Sequence, residues 1–209
     1  MDQVSLIESA DGSEKLLGCY FQNNLKWGTH ITKLKDSLKK GIVGVYSIRH
    51  SLPQKTLETI CQGWFSSVLI YCLPLFGGCN KTDLQDLRTL QNIVARLVTK
   101  SPLDTNRIWI YDKLGWMTVS QLIKYHSILS VYRIRKSNEP EYLANLLNRD
   151  NRNNNIIVPQ SNMELYRRSF VYRSICDWNN LPKEIRNIQK IMKFKKTLKS
   201  WIKINVSKF

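Results

Sequence analysis

Between Thr29 and Ile48 the apolar residues Ile31, Leu34, Leu38, Ile42, Val45 and Ile48 recur every three to four positions, and Lys33, Lys39 and Lys40 fall off that stripe. Side chains at this spacing line one face of an α-helix, whereas on a strand they would scatter to both faces. The segment therefore commits the chain to a long amphipathic helix that must bury one side. Gly41 and Gly44 lower helix propensity but let another element approach closely. The pattern repeats further on. Pro53 suits the first turn of a second helix running through KTLETICQGWFSSVLIY. Leu84, Leu87, Leu90, Val94 and Leu97 share a face of a third, capped by Asn80 or Thr82 and broken by SPLDTN. A short piece, RIWIYDKLGW, leads to Thr118-x-x-Gln121, which has the form of a capping box and opens a helix through Ile134. Pro140 and EYLANLL predict one more short helix. In the last helix Ile191, Phe194, Leu198 and Ile202 oppose Lys190, Lys193, Lys196 and Lys203.

Strand signals are confined to the two ends. Residues 15–22, KLLGCYFQ, read as a short strand with Gly18 at a bulge or close approach, and NNLKW as a turn into a second strand or directly into helix. IIVPQS and RRSFVYR read as short strands near the C-terminus. Between them and the preceding helices, residues 148–155, NRDNRNNN, have the composition of a linker that cannot bury a core. The expected fold is mainly α, a helical bundle with a short N-terminal β-hairpin and small β elements near the C-terminus. At 209 residues, one or two domains fit.

Charge narrows the class of partner. Thirty-two Lys and Arg stand against sixteen Asp and Glu, a formal net charge of +16. Residues 151–209 alone carry thirteen bases and three acids. Such a balance favours a polyanion, nucleic acid before an anionic membrane surface. Trp64–Cys79 is the longest apolar stretch; it is too short to span a bilayer and Pro74 interrupts it, so it is expected as a buried helix end. The acidic N-terminus has no secretory h-region, which predicts an intracellular protein, cytoplasmic or nuclear, with no membrane partner. The five scattered cysteines are then expected as reduced, mostly buried thiols.

No catalytic constellation emerges. His30, His50 and His126 do not pair at helical spacing, and Cys72-x6-Cys79 has no matching second pair, so no metal and no cofactor are expected. There is no phosphate loop or dinucleotide fingerprint. Asp83 and Asp86 would share a helix face, where acids are ordinarily just solvated. Asp177 and Asn179, in CDWNNLPKEI, lack a partner acid, base or ligand. That segment reads instead as a packing corner: Trp178 and Leu181 bury, Pro182 starts a helix, and Lys183 faces out. Tyr166, Phe170, Tyr172 and Trp178 are interleaved with Arg167, Arg168 and Arg173. Either the aromatics stack on unpaired bases beside phosphate-binding arginines, or they are core, with Phe170 and Tyr172 on one face of a strand.

Six motifs in order resemble one family. LLGCYFQNNLKWGTHI is similar to the LGxxxDxxLxWxxHI stretch that follows the catalytic palm motifs in reverse transcriptases of non-LTR retrotransposons, the jockey-like LINE elements. LPQKTLETICQGWFSSVLIYCLPLFGG resembles that family's helix ending in a YGxxxWG-type segment, and LRTLQNIVARLVT its LQxxQNxAxRxI helix. LGWMTVSQLIKYHSILSVYRI, EPEYLANLL and RSICDWNNLPKEIRN with a basic tail complete the series, over roughly residues 15–205. Two positions depart from it: Gln22 stands at the family's Asp, and Phe76 at the Trp of YGxxxWG. The resemblance implies residues 1–28 as the end of the palm, 29–147 as a helical thumb-like domain, 148–155 as a linker and 156–209 as a basic C-terminal segment. It also implies an RNA-directed DNA polymerase whose paired palm aspartates this sequence lacks, so the chain by itself is expected to be inactive and to need a palm domain. The expected partner is RNA, or an RNA–DNA or DNA template–primer, bound through its backbone by Lys33, Lys39, Lys40, Arg167, Arg168, Arg173, Lys193 and Lys196. The alternative is an inert structural or interaction module from a truncated or decayed element, with its basic charge spread evenly.

Overall fold

The computed structural model describes residues 12–148 and 155–206. The chain is mainly helical, with one short antiparallel hairpin ahead of the helices. In the hairpin, β1 (Ser13–Leu16) pairs with β2 (Cys19–Gln22) in the register Ser13↔Gln22 to Leu16↔Cys19. Residues 15–22 are thus not one strand with a bulge. Leu17 and Gly18 both have positive φ, 47° and 83°, and form the two-residue turn that suits the twist of paired strands. The Tyr71 hydroxyl donates to the Leu17 carbonyl and holds that turn.

The expected first helix forms as α1 (Gly28–Ile48). Its stripe buries Ile31, Leu34, Leu38 and Val45, and the Gln22 side chain accepts the Thr29 N–H in its first turn at 3.3 Å. The second helix is interrupted. α2 (Gln54–Cys61) passes through a π-helical turn, Gln62–Ser66, before α3 (Ser67–Ile70), and then comes α4 (Leu73–Phe76). Asn80, not Thr82, caps α5 (Lys81–Thr99), accepting the Asp83 N–H at 2.7 Å. Across the SPLDTN break, Arg96 donates to the carbonyls of Leu103 and Thr105 at 3.1 and 3.2 Å, fixing the entry to α6 (Arg107–Leu114).

The capping box at Thr118 and Gln121 forms at both of its hydrogen bonds, and α7 runs Val119–Ser137. α8 (Glu141–Leu147) follows Pro140. The stretch 149–154 of the expected linker lies outside the described residues. Beyond it the expected strands do not form. RRSFVYR enters α9 (Glu164–Arg167) and α10 (Phe170–Asn179), whose first turn Ser169 caps by accepting the Tyr172 N–H at 3.4 Å. Of IIVPQS, Ile156 alone makes an isolated bridge, and the Asn179 side-chain amide brackets it, accepting its N–H at 2.9 Å and donating to its carbonyl at 2.8 Å. α11 (Lys183–Arg186) and α12 (Ile191–Asn205) complete the chain.

These elements group into two compact units. The first holds the described residues through Cys72 together with Cys79–Gly115; the second holds Leu73–Gly78 and the described residues from Trp116 onward. The division falls after α6, so α7 and α8 belong with the C-terminal helices and not with α1 and α5. In the first unit α1 and α2 pack on α5, and α5 on α6. In the second, α7 is the hub for α4, α8, α10 and α12. Its core is built around Tyr132, Trp178 and Phe194: the Tyr132 and Phe194 rings stack at 4.0 Å and Trp178 lies 6.1 Å from Phe194. Each such buried side chain contributes about 1.5–3 kcal/mol of hydrophobic stabilisation.

Gly41 is required by packing. A Cβ there would sit 1.8 Å from the Trp64 ring, whereas one at Gly44 would meet nothing within 4 Å. Gly41→Ala is expected to lose about 1–3 kcal/mol from overpacking. Gly44→Ala is expected to gain up to about 1 kcal/mol from helix propensity. Urea unfolding midpoints of the two variants, moving in opposite directions, check this.

Candidate nucleic-acid interface

Two helices carry most of the proposed contacts, and amphipathicity decides where their lysines point. Burying Ile31, Leu34 and Leu38 turns Lys33, Lys39 and Lys40 to solvent on α1, beside Asp36. Lys33 and Lys40 lie two turns apart, about 10 Å along the axis. Lys35 is different: its ammonium pairs with Asp86 of α5 at 2.7 Å, and this contact raises its pKa above the ordinary lysine value. Asp86 is therefore tied to α1 rather than merely solvated.

On α12, burial of Phe194, Leu198 and Ile202 leaves Lys193, Lys196 and Lys199 exposed. The three arginines gather at the α9–α10 junction, but they are not equivalent. Arg167 donates to the Ser161 carbonyl at 3.1 Å and Arg168 pairs with Glu164 at 3.0 Å; both stay exposed. Arg173 is half-buried, and its guanidinium donates to the carbonyls of Arg168 at 2.9 Å and Pro74 at 2.7 Å. It ties α4 to the start of α10.

The aromatics divide in the same way. Trp178 is core, while Tyr166 and Tyr172 meet edge-to-face at 6.2 Å, both half-buried. Phe170 and Tyr172 do not alternate on a strand, because the segment is helical. Val171, Ser174, Ile175 and Trp178, at positions i, i+3, i+4 and i+7, form its inward face.

A second set of cations lies outside the expected contacts. Arg135 and Lys136 end α7, Lys183 and Arg186 lie on α11, and all four line one recess of the second unit. The pairs stand far apart in the chain; a basic pair closing a predicted helix is the only local signal.

Other titratable groups serve the fold. Asp177 is half-buried, and the loss of water around its carboxyl raises its pKa, while Lys124 at 3.9 Å with nearby Arg173 partly offsets that rise. Burial pushes the Cys19 and Cys61 thiols up to about 12 and about 11, with Cys72 hydrogen-bonded to Cys19 adding to the former. Among the described residues no three His, Cys, Asp or Glu side chains converge to hold a metal ion, and no helix is long and apolar enough to cross a membrane. Comparison with protein-family models, curated proteins and solved structures finds no match.

His30 and His126 are held below the ordinary histidine value of 6.5, chiefly by burial. His30 Nδ1 accepts the Tyr20 N–H at 3.5 Å, which only the unprotonated nitrogen can do. As pH falls through about 6.5 the unfolded chain takes up protons at these sites before the folded chain does, so stability is full above that value and lost below it. The thermal midpoint should fall between about pH 7.5 and about pH 5.5. The double variant His30→Gln/His126→Gln should flatten that fall. A midpoint that holds or rises in the wild type contradicts the assignment.

Proposed function

We propose that this chain is a nucleic-acid-binding part of a retroelement reverse transcriptase, corresponding to the end of the palm, the thumb and the segment after it. The observation that carries the reading is the placement of charge. Lys33, Lys39 and Lys40 of α1 and Lys193, Lys196 and Lys199 of α12 face solvent over apolar stripes, and few acids are available to neutralise them. Lysines so placed bind phosphates of a template–primer backbone by releasing counterions, which gives affinity without sequence preference. The helical fold behind a short hairpin is also what the six ordered motifs imply.

Nucleotide addition is assigned to a separate palm domain, because two-metal phosphoryl transfer needs acidic ligands that the described residues do not bring together. Leu16, Leu17 and Leu25 at the hairpin, with Val43 and Tyr46 on α1, are exposed and offer the apolar surface that such a domain would cover.

A filter-binding titration with duplex DNA and an RNA–DNA hybrid at two salt concentrations tests the proposal. Binding should be measurable at low salt and fall steeply with added salt. Replacing Lys33, Lys39, Lys40, Lys193 and Lys196 with Gln should lower the log–log salt slope on duplex DNA by about 0.9 for each phosphate contact removed. No binding at low salt, or a slope unchanged in the variant, would count against it. Primer extension by the isolated chain with divalent metal, abolished by replacing one carboxylate, would overturn the division of labour.

A further inference from the structure

The recess between the end of α7 and α11 has a volume of about 260 Å³. That is below the roughly 300–1,000 Å³ of sites that enclose drug-sized ligands. Arg135, Lys136, Lys183 and Arg186 contribute four cations to its wall, and Asn148, Asn187 and Gln189 contribute neutral amides. No carboxylate lines it among the described residues. The two arginines are oriented before any ligand arrives. Arg135 donates to the Leu147 carbonyl at 2.7 Å and lies 5.6 Å over the Trp178 ring, while Arg186 donates to Asn155 Oδ1 at 2.7 Å. Both keep further partners within the chain, so a ligand joins an existing network. Lys136 reaches the Gln189 side chain, and both Lys136 and Lys183 are exposed.

Four cations around a small polar recess repel one another, and that repulsion is relieved by an anion carrying several acceptor oxygens. We propose that this recess binds a phosphate group, with Lys136 and Lys183 supplying mobile ammonium donors to its oxygens and Arg135 and Arg186 the fixed positive wall. None of its residues is among the lysines of α1 and α12, so the site stands apart from the backbone-binding reading. Its ligand chemistry is a phosphate, either free or at the end of a polynucleotide.

Calorimetric titration of the full chain, at about 0.1 M salt to screen diffuse attraction, tests the proposal. The probes are inorganic pyrophosphate, and a 5′-phosphorylated oligonucleotide set against its unphosphorylated twin. Saturable pyrophosphate binding is expected if free phosphate suffices; preference for the phosphorylated oligonucleotide alone is expected if the polymer is needed. In either case Lys136→Gln/Lys183→Gln should weaken binding at least about tenfold with an unchanged helical circular-dichroism spectrum, and Lys55→Gln/Lys81→Gln, at exposed lysines outside both proposed sets, should leave it within about twofold. Failure of both probes to bind the wild type, or equal losses in the two double variants, would overturn the proposal.

Discussion

An unpaired cation buried in a protein costs several kcal/mol, and this chain has twice as many cations as acids. Most of its lysines and arginines must therefore reach water or a backbone carbonyl, and that requirement shapes each helix. α1 and α12 each bury a single stripe and turn lysines outward. Two acid–cation pairs tie elements together: Asp86 joins α5 to α1 through Lys35, and Asp177 joins α10 to α7 through Lys124. Where acids run out, carbonyls take over, as with Arg96 on the loop before α6 and Arg173 on Pro74.

In the second unit this segregation leaves an aromatic centre of Tyr132, Trp178 and Phe194, with cations at its margin. Arg135 connects the two, packing over Trp178 while lining the polar recess. The same helix ends that bury the aromatics thus bring charges from separate parts of the chain together.

Much of this was legible in the sequence, for identifiable reasons. The spacing in α1 and α5 and the caps at Asn80 and Thr118 are local signals, and they form as local signals predict. RRSFVYR, which runs into the first turn of α10, reads as a strand because Phe170 and Tyr172 alternate and favour sheets, while the polar Ser174 hides the helical stripe. Tertiary burial of Ile175 and Trp178 outweighed that local preference. The hairpin turn was hidden because Leu17, at positive φ, is not a turn-forming residue. Outward lysines followed from the apolar stripes, but the role of Arg173 did not, because its carbonyl partner lies 99 residues away. The four cations of the recess were invisible for the same reason: helix packing, not spacing, brings them together.

On the proposed function, the lysines of α1 and those of α12 each contact nucleic acid and are not merely solvated. Photo-crosslinking to an RNA–DNA hybrid, with the attachment sites mapped by mass spectrometry, tests it most directly. Crosslinks should concentrate in the α1 segment around Lys33–Lys40 and the α12 segment around Lys193–Lys199. Crosslinks spread in proportion to all exposed lysines, or none at all, would contradict it.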